Sequence, residues 1–180
     1  MSAVHGIITH QTNRPTDYLY RLSLKALITN ANGDILVVKE TGRHYYDLPG
    51  GGMDHGEDFY QALARELAEE VSLSGKFSYQ IIDIDQPAYL AEHNFWQVRL
   101  VFAVSQSGGH YAPGIDGDEI AWLPLNYFER SKHEVERRIV RYWRAAFNKS
   151  INFCPAINQR QIAAYQINHR FVIHFRIIDK

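Results

Sequence analysis

The stretch PGGGMDHGEDFYQALARELAEEVSL, residues 49–73, constrains this chain more than any other. Three glycines, Gly50, Gly51 and Gly52, follow a proline and lead into a segment with the apolar spacing of a helix. If the helix begins at Glu57, then Tyr60, Leu63, Ala64, Leu67 and Val71 form one stripe able to pack on a sheet. Glu66, Glu69 and Glu70 fall at i, i+3 and i+4 on a neighbouring side. Like charges so spaced repel, so either solvent screens the cluster or a cation occupies it. The glycine loop directly upstream favours the cation. An all-oxygen ligand set suits Mg²⁺, with Mn²⁺ as a substitute. No Cys/His pair has zinc-site spacing. Arg65, four residues before Glu69 and next to Glu66, can hold a carboxylate in place.

Composition bounds the rest. The 180 residues are 46% hydrophobic and 22% charged, enough to bury a core and too apolar for a disordered chain. The net charge of −1 gives no global attraction to nucleic acid or anionic membranes. Cations gather at the C-terminal end, where Lys149, Arg160, Arg170, Arg176 and Lys180 are opposed by Asp179. Cys154 is the sole cysteine, which excludes an intramolecular disulfide and fits a reducing compartment. No stretch has the apolar length of a membrane span and the first residues lack a signal pattern, so a cytoplasmic location is expected.

Taken in order, residues 1–17 are polar and read as an arm. From Tyr18 to Thr29, Leu22, Leu24, Ala26 and Ile28 alternate with Arg21, Ser23 and Lys25, the period of a half-buried strand. Asn32-Gly33 predicts a hairpin turn to a partner strand at Ile35–Val38. A brief strand, 46–48, precedes the glycine loop. Beyond the acidic helix, Phe77–Asp85 predicts an irregular strand and Trp96–Val104 a buried one. A Gly-, Pro- and Asp-rich loop, 107–118, precedes a short strand at Ile120–Leu123. Asn126 is expected to cap a second helix reaching about Asn148, with Lys132, Arg137, Arg138, Arg141 and Arg144 on a solvated face. Arg170–Ile178 has a strand's composition.

Gly51, five residues, Glu57, seven residues and then Arg65-Glu66-Leu67-Ala68-Glu69-Glu70-Val71-Ser72-Leu73 resembles the box of the Nudix hydrolases. Every charged position of that pattern matches. Ser72 stands where the family usually has glycine, which weighs against a tight left-handed helix exit and leaves the metal ligands untouched. The resemblance implies an α/β/α sandwich with a mixed β-sheet between helices, over about 18–148, with 149–180 as an extension of unknown role. It implies a MutT-like, Mg²⁺-dependent pyrophosphohydrolase acting on a nucleoside diphosphate linked to another moiety. Glu66, Glu69 and Glu70 would hold the metal, with the Gly51 carbonyl and, at the edge, Glu57. Arg65 would organise the carboxylates. The proton acceptor would be a box glutamate or Glu119, ahead of Ile120-Ala121-Trp122, with Asp116 and Asp118 as neighbours.

Gly50, Gly51, Gly52 and Tyr46 are the candidate substrate contacts; His44, Tyr45 and Tyr46 can stack on a base or pack a strand end. His55 reads as an exposed loop histidine. Pro87 and Tyr89 each stand near a position that marks a different substrate subgroup, so neither decides. A nucleotide sugar such as ADP-ribose is the first expected substrate and a nucleoside triphosphate the second. A nucleotide sensor without turnover is the rival reading, although such proteins usually lose box glutamates. RNA-end processing is another rival, supported only by the basic second helix and tail; nucleic acid is the less expected partner. A homodimer is compatible with the strand-like tail.

Overall fold

The computed structural model describes residues 20–115 and 119–152, with side chains through Phe147. The expected N-terminal arm, Asp116, Asp118, Cys154 and the strand-like tail lie outside the described residues.

One strand sits at the centre. β5 (Phe95–Ser105) pairs in parallel with β1 (Tyr20–Leu27) along one edge. Its other edge takes β3 (Ser78–Ile84) and β4 (Ala88–Leu90), both antiparallel, which makes the sheet mixed. β3 slips register between Ile81 and Asp83, the irregularity its broken alternation predicts. β2 (Ile35–Lys39) pairs antiparallel with β6 (Glu119–Leu123) as a separate ribbon. The turn at Asn32-Gly33 forms, with Gly33 at φ 84° and its N–H on Asn30 O. The strands it joins then part. The Thr29–Ile35 bridge, Leu36 N–H to Ile28 O and the Asn30–Asp34 bonds link them before each continues into its own sheet.

Two apolar layers flank these strands. On one side Leu24, Ala26, Leu100 and Phe102 pack against Ala62, Leu63, Leu67 and Val71 of α1 (Phe59–Val71). On the other, Leu27, Val101 and Ala103 pack against Ile139, Tyr142 and Ala146 of α3 (Glu134–Asn152). Buried on both faces, β5 has near-continuous apolar sequence for this reason. The result is the expected sandwich, with the mixed sheet between helices.

α1 begins two residues later than expected. Asp58, not Glu57, ends the loop, and its side chain accepts from Gln61 N while Gln61 Oε1 accepts from Asp58 N, both at 2.8 Å. At the other end Ser72 adopts the left-handed conformation that its side chain disfavours, φ 54°. Its N–H reaches Leu67 O, and Leu73 N–H reaches the same carbonyl at 3.0 Å. The loop beyond is tied down on this exit: Ser72 Oγ donates to Pro113 O, Ala112 N to Val71 O and Gly114 N to Glu70 O. The tight turn therefore forms without the glycine.

The single second helix is replaced by two. A short α2 (Leu125–Arg130) follows Pro124 and has no side-chain cap, so Asn126 lies inside its first turn. Ser131 then turns extended, φ −65° and ψ 145°, and its hydroxyl accepts from His133 N and donates to Glu136. This local alternative to helical bonding breaks the run. Lys132, Arg137, Arg141 and Arg144 are exposed as expected, while Arg138 is half-buried, and both Arg138 and Arg141 reach back to the sheet. Asp85, at the end of β3, receives Arg141, Arg99 at 3.2 Å, Tyr142 OH at 2.6 Å and Arg138 at 3.9 Å. Burial pushes the Tyr142 hydroxyl up to about 12, and its bond to Asp85 acts in the same direction. This cluster clamps α3 to the sheet.

Two stability predictions follow from these placements. Asp85→Ala leaves the half-buried Arg99 without its partner and is expected to cost about 3 kcal/mol in urea denaturation. Ser72→Gly relieves left-handed strain at the loss of one exposed hydrogen bond, and is expected to raise stability by about 0.5 kcal/mol in the same assay.

Candidate active site

The glycine loop is stitched onto β1. Leu24 N donates to Gly51 O and Ala26 N to Pro49 O, both at 2.8 Å, and Met53 N donates to Leu22 O at 3.0 Å. Gly50 has φ +120°, and a Cβ there would lie 2.3 Å from Leu24 O. A Cβ on Gly51 would lie 2.4 Å from Glu66 Oε2, so the loop backbone is pressed against that carboxylate. At Gly50 the contact is with backbone and φ is positive, so glycine is required there; at Gly51 a side chain would push the Glu66 carboxylate out of place.

Arg65 joins this loop to the helix. Its Nε and Nη2 grip Glu57 at 2.7 and 2.9 Å, and Nη2 also donates to Gly52 O at 2.9 Å. Its Nη1 reaches Glu66 at 2.7 Å and Glu69 at 3.3 Å. Glu57 Oε2 accepts in addition from Asp54 N at 2.8 Å. Arg65, helped by that backbone N–H, holds the Glu57 carboxyl down at about 2. Glu57 is thus outside the helix and braces the loop. Burial pushes Glu66 and Glu70 above the ordinary carboxylate range, with Arg65 opposing at Glu66 and Lys25 opposing at Glu70. Glu70 Oε2 also accepts from Gly50 N at 2.7 Å. The three box glutamates therefore share one neighbourhood with the loop, Glu66 and Glu69 held by Arg65 and Glu70 by the Gly50 N–H.

A cleft of about 580 Å³ opens beside them. Gly50, Gly51, Gly52 and Glu70 line one part of it; Lys25, Asp47, Arg99 and Arg138 line another. Arg43 and Tyr45 line it too, as do Tyr89 of β4 and His93 of the turn that follows. The polar residues of β1 and β5 were missed as site residues. Their signal was present: Ser23 and Lys25 alternate with apolar neighbours, and Ser23 pairs with Arg99 across the strands.

Tyr46 and Glu119 stand elsewhere. Tyr46 N donates to Glu136 Oε1 at 2.9 Å, its hydroxyl donates to Glu119, and its ring meets Tyr127 edge-on. Its neighbour Tyr45 lines the cleft instead and packs against His133 at 5.3 Å. Glu119, at the start of β6, is exposed and pairs with Lys39 as well as Tyr46. Neither residue lines the cleft. The interplay of strand pairing explains this, since β6 lies on β2 and not on the sheet that carries the glycine loop. His44 and His55 are exposed, as a loop reading implies.

The donor chemistry fits a hard divalent cation. Glu66 and Glu70 are carboxylates taken out of water beside one arginine and one lysine, and the site offers oxygen ligands only. As the side chains stand, no three acids or histidines among the described residues converge on one point, because Arg65 bridges Glu66 and Glu69. The Gly51 carbonyl already accepts from Leu24 N and retains its second lone pair.

Comparison with known proteins places this geometry. The family model described as NUDIX domain matches residues 19–143. An RNA pyrophosphohydrolase of Vibrio atlanticus is 44% identical over 57 residues, which is 32% of this chain and 33% of that protein. The matched stretch thus spans about a third of that relative's length. An RNA pyrophosphohydrolase of Tolumonas auensis is 26% identical over 148 residues, 70% of this chain and 85% of that protein. Among solved structures, a MutT protein of Methanosarcina mazei Go1 superposes with a TM-score of 0.56 at 20% identity, covering 75% of this chain and 99% of that one. The NUDIX domain of Shewanella oneidensis NrtR, complexed with ADP ribose, gives 0.58 at 18% identity, covering 75% and 94%. Among the described residues, no helix is long and apolar enough to cross a membrane. The matched family model, the box and the sandwich agree: this chain belongs to the Nudix family.

Proposed function

We propose that this chain hydrolyses a phosphoanhydride bond in a nucleoside diphosphate linked to another moiety, using Mg²⁺. The observation that carries the reading is the Arg65-centred assembly, which ties Glu57, Glu66 and Glu69 to the glycine loop that, with Glu70, lines a cleft sized for a nucleotide. The catalytic unit is the span 18–148. A sensor without turnover would not need all three box glutamates, and this chain keeps them.

Glu66, Glu69 and Glu70 would hold the metal, with the Gly51 carbonyl beside them. Bound there, the cation supplies neutralisation of phosphate charge and acidification of water. The chain's own part is placement. Arg65 fixes Glu66, the Gly50 N–H fixes Glu70, and Glu57 fixes Arg65. Glu69, with a single contact at 3.3 Å, is the carboxylate with the most freedom to take a proton from the attacking water. The water oxygen bonds to phosphorus, the bridging P–O bond breaks, and a nucleoside monophosphate leaves with a phosphorylated remainder. Glu119 is engaged by Lys39 and Tyr46, which supports a box glutamate over Glu119 as the base.

ADP-ribose is the first substrate to test, since the Shewanella domain of the same fold was crystallised with it. RNA carrying a 5′-polyphosphate is the second, favoured by the RNA pyrophosphohydrolase relatives. The experiment is phosphate release, after coupled phosphatase digestion, from nucleotide sugars, nucleoside triphosphates and a 5′-triphosphorylated oligonucleotide. Wild type should turn over one class only with Mg²⁺, and Glu69→Gln should lose about a hundredfold or more of that rate. A folded wild-type protein inert toward every class would overturn the reading.

A further inference from the structure

One buried charge has no place in the box. Lys25, in the middle of β1, is 8% exposed, and its side chain lines the cleft. Burying an ammonium costs several kcal/mol unless it is well paired. Its partner is Asp47, whose Oδ2 lies at 3.5 Å, long for a hydrogen bond. Among the described residues its three N–H donors make no closer contact with an acceptor, so most of their capacity is unspent. Asp47 is itself shared: its Oδ1 accepts from Leu48 N, and its charge acts on Arg99.

The surroundings give that lysine a direction. Strand pairing sets Ser23 opposite Arg99 and Lys25 opposite Val101, so Ser23, Lys25 and Arg99 pave one floor. Arg138 joins them from α3. Arg99, Arg138 and Arg141 all converge on Asp85, and Arg141 also pairs with Asp83. With Lys25 and Asp47 included, the floor holds more cations than acids. Beside Lys25 stand the glycine loop, whose Gly50 lies against the Lys25 backbone, and Glu70, and the charge of Lys25 is felt at both Glu66 and Glu70. A cleft with carboxylates on one wall and an unspent ammonium in the floor suits a diphosphate that carries cation-bound oxygens on one side and bare oxygens on the other.

We infer that Lys25 binds the diphosphate of the substrate directly, donating to the phosphate oxygens turned away from the box carboxylates. This rests on the proposed function above and adds a substrate contact to it. Asp47 aims the ammonium. The pair Ser23 and Lys25, buried on the polar side of β1, is then the floor of a binding site and not a solvated face.

The test uses adenosine 5′-(α,β-methylene)diphosphate, an uncleavable diphosphate, titrated calorimetrically into the full chain in EDTA and again in Mg²⁺. Lys25→Met keeps the stem and removes the charge; Lys25→Arg restores it. Urea denaturation establishes that each variant is folded. Binding to Lys25→Met should weaken about tenfold in both buffers, with Lys25→Arg recovering part of the loss. In turnover, KM should rise about tenfold with kcat changed less. Wild-type and Lys25→Met affinities within twofold of each other would overturn the inference, while Mg²⁺-dependent turnover lost in Glu69→Gln would leave the hydrolase reading standing. Should Lys25→Met not fold, Lys25→Gln and the Lys25→Arg affinity decide the same question. A wild type that neither binds the diphosphate nor turns over any panel member overturns both.

Discussion

The guanidinium of Arg65 is the interaction on which the site depends. A planar group with five N–H donors can satisfy three carboxylates and a carbonyl at once, which an ammonium cannot do in fixed geometry. Here it spends them on Glu57 and Gly52 O on the loop side and on Glu66 and Glu69 on the helix side. Loop and helix are thereby locked as one body. The glycines make this possible: with no Cβ at Gly51, the loop backbone can lie against the Glu66 carboxylate. Repulsion among the box glutamates is met by distributing their partners, with Arg65 taking two and the Gly50 N–H taking the third.

That body is held in place by the sandwich. α1 buries Leu63 and Leu67 completely against the sheet, so its acidic side is presented at the sheet's edge, where the glycine loop adds to β1. The opposite helix α3 is fixed by apolar packing and by the Asp85 cluster, and it delivers Arg138 to the same cleft. The cleft is therefore a product of both layers. An error in either would move one wall relative to the other by more than a phosphate contact tolerates.

What could be seen in the sequence follows from range. The acidic helix, the carboxylate spacing, the Asn32-Gly33 turn and the irregular β3 are encoded within a few residues, and each is found where local reasoning puts it. The capping pair Asp58 and Gln61 was equally local, and it sets the helix start two residues after Glu57. Other features depend on partners far along the chain. Nothing near Asn32-Gly33 tells that its strands part to join β5 and β6. Ser131 breaks the second helix through Glu136 and His133, a competition that helical periodicity does not weigh. The strand expected at 46–48 is only an isolated bridge of Asp47 to Val38, and in the bend before it Tyr45 and Tyr46 part, one lining the cleft and the other meeting Tyr127.

The same alternation explains why the basic floor escaped notice. Period-two polarity in a strand has a default meaning, one face to the core and one to water. In β1 the polar face carries a serine and a lysine that are 3% and 8% exposed, so water is not what they face. Burial of such groups is costly and is tolerated where a charged ligand offsets it. An active site in this fold needs opposite charges in one cleft, because carboxylates alone would repel the polyanion they act on. A cation can screen them only for the oxygens it touches. The remaining oxygens need donors from the protein, and a strand crossing beneath the glycine loop is the element placed to supply them. Charge of both signs in one cleft is what the proposed polyanionic substrate requires.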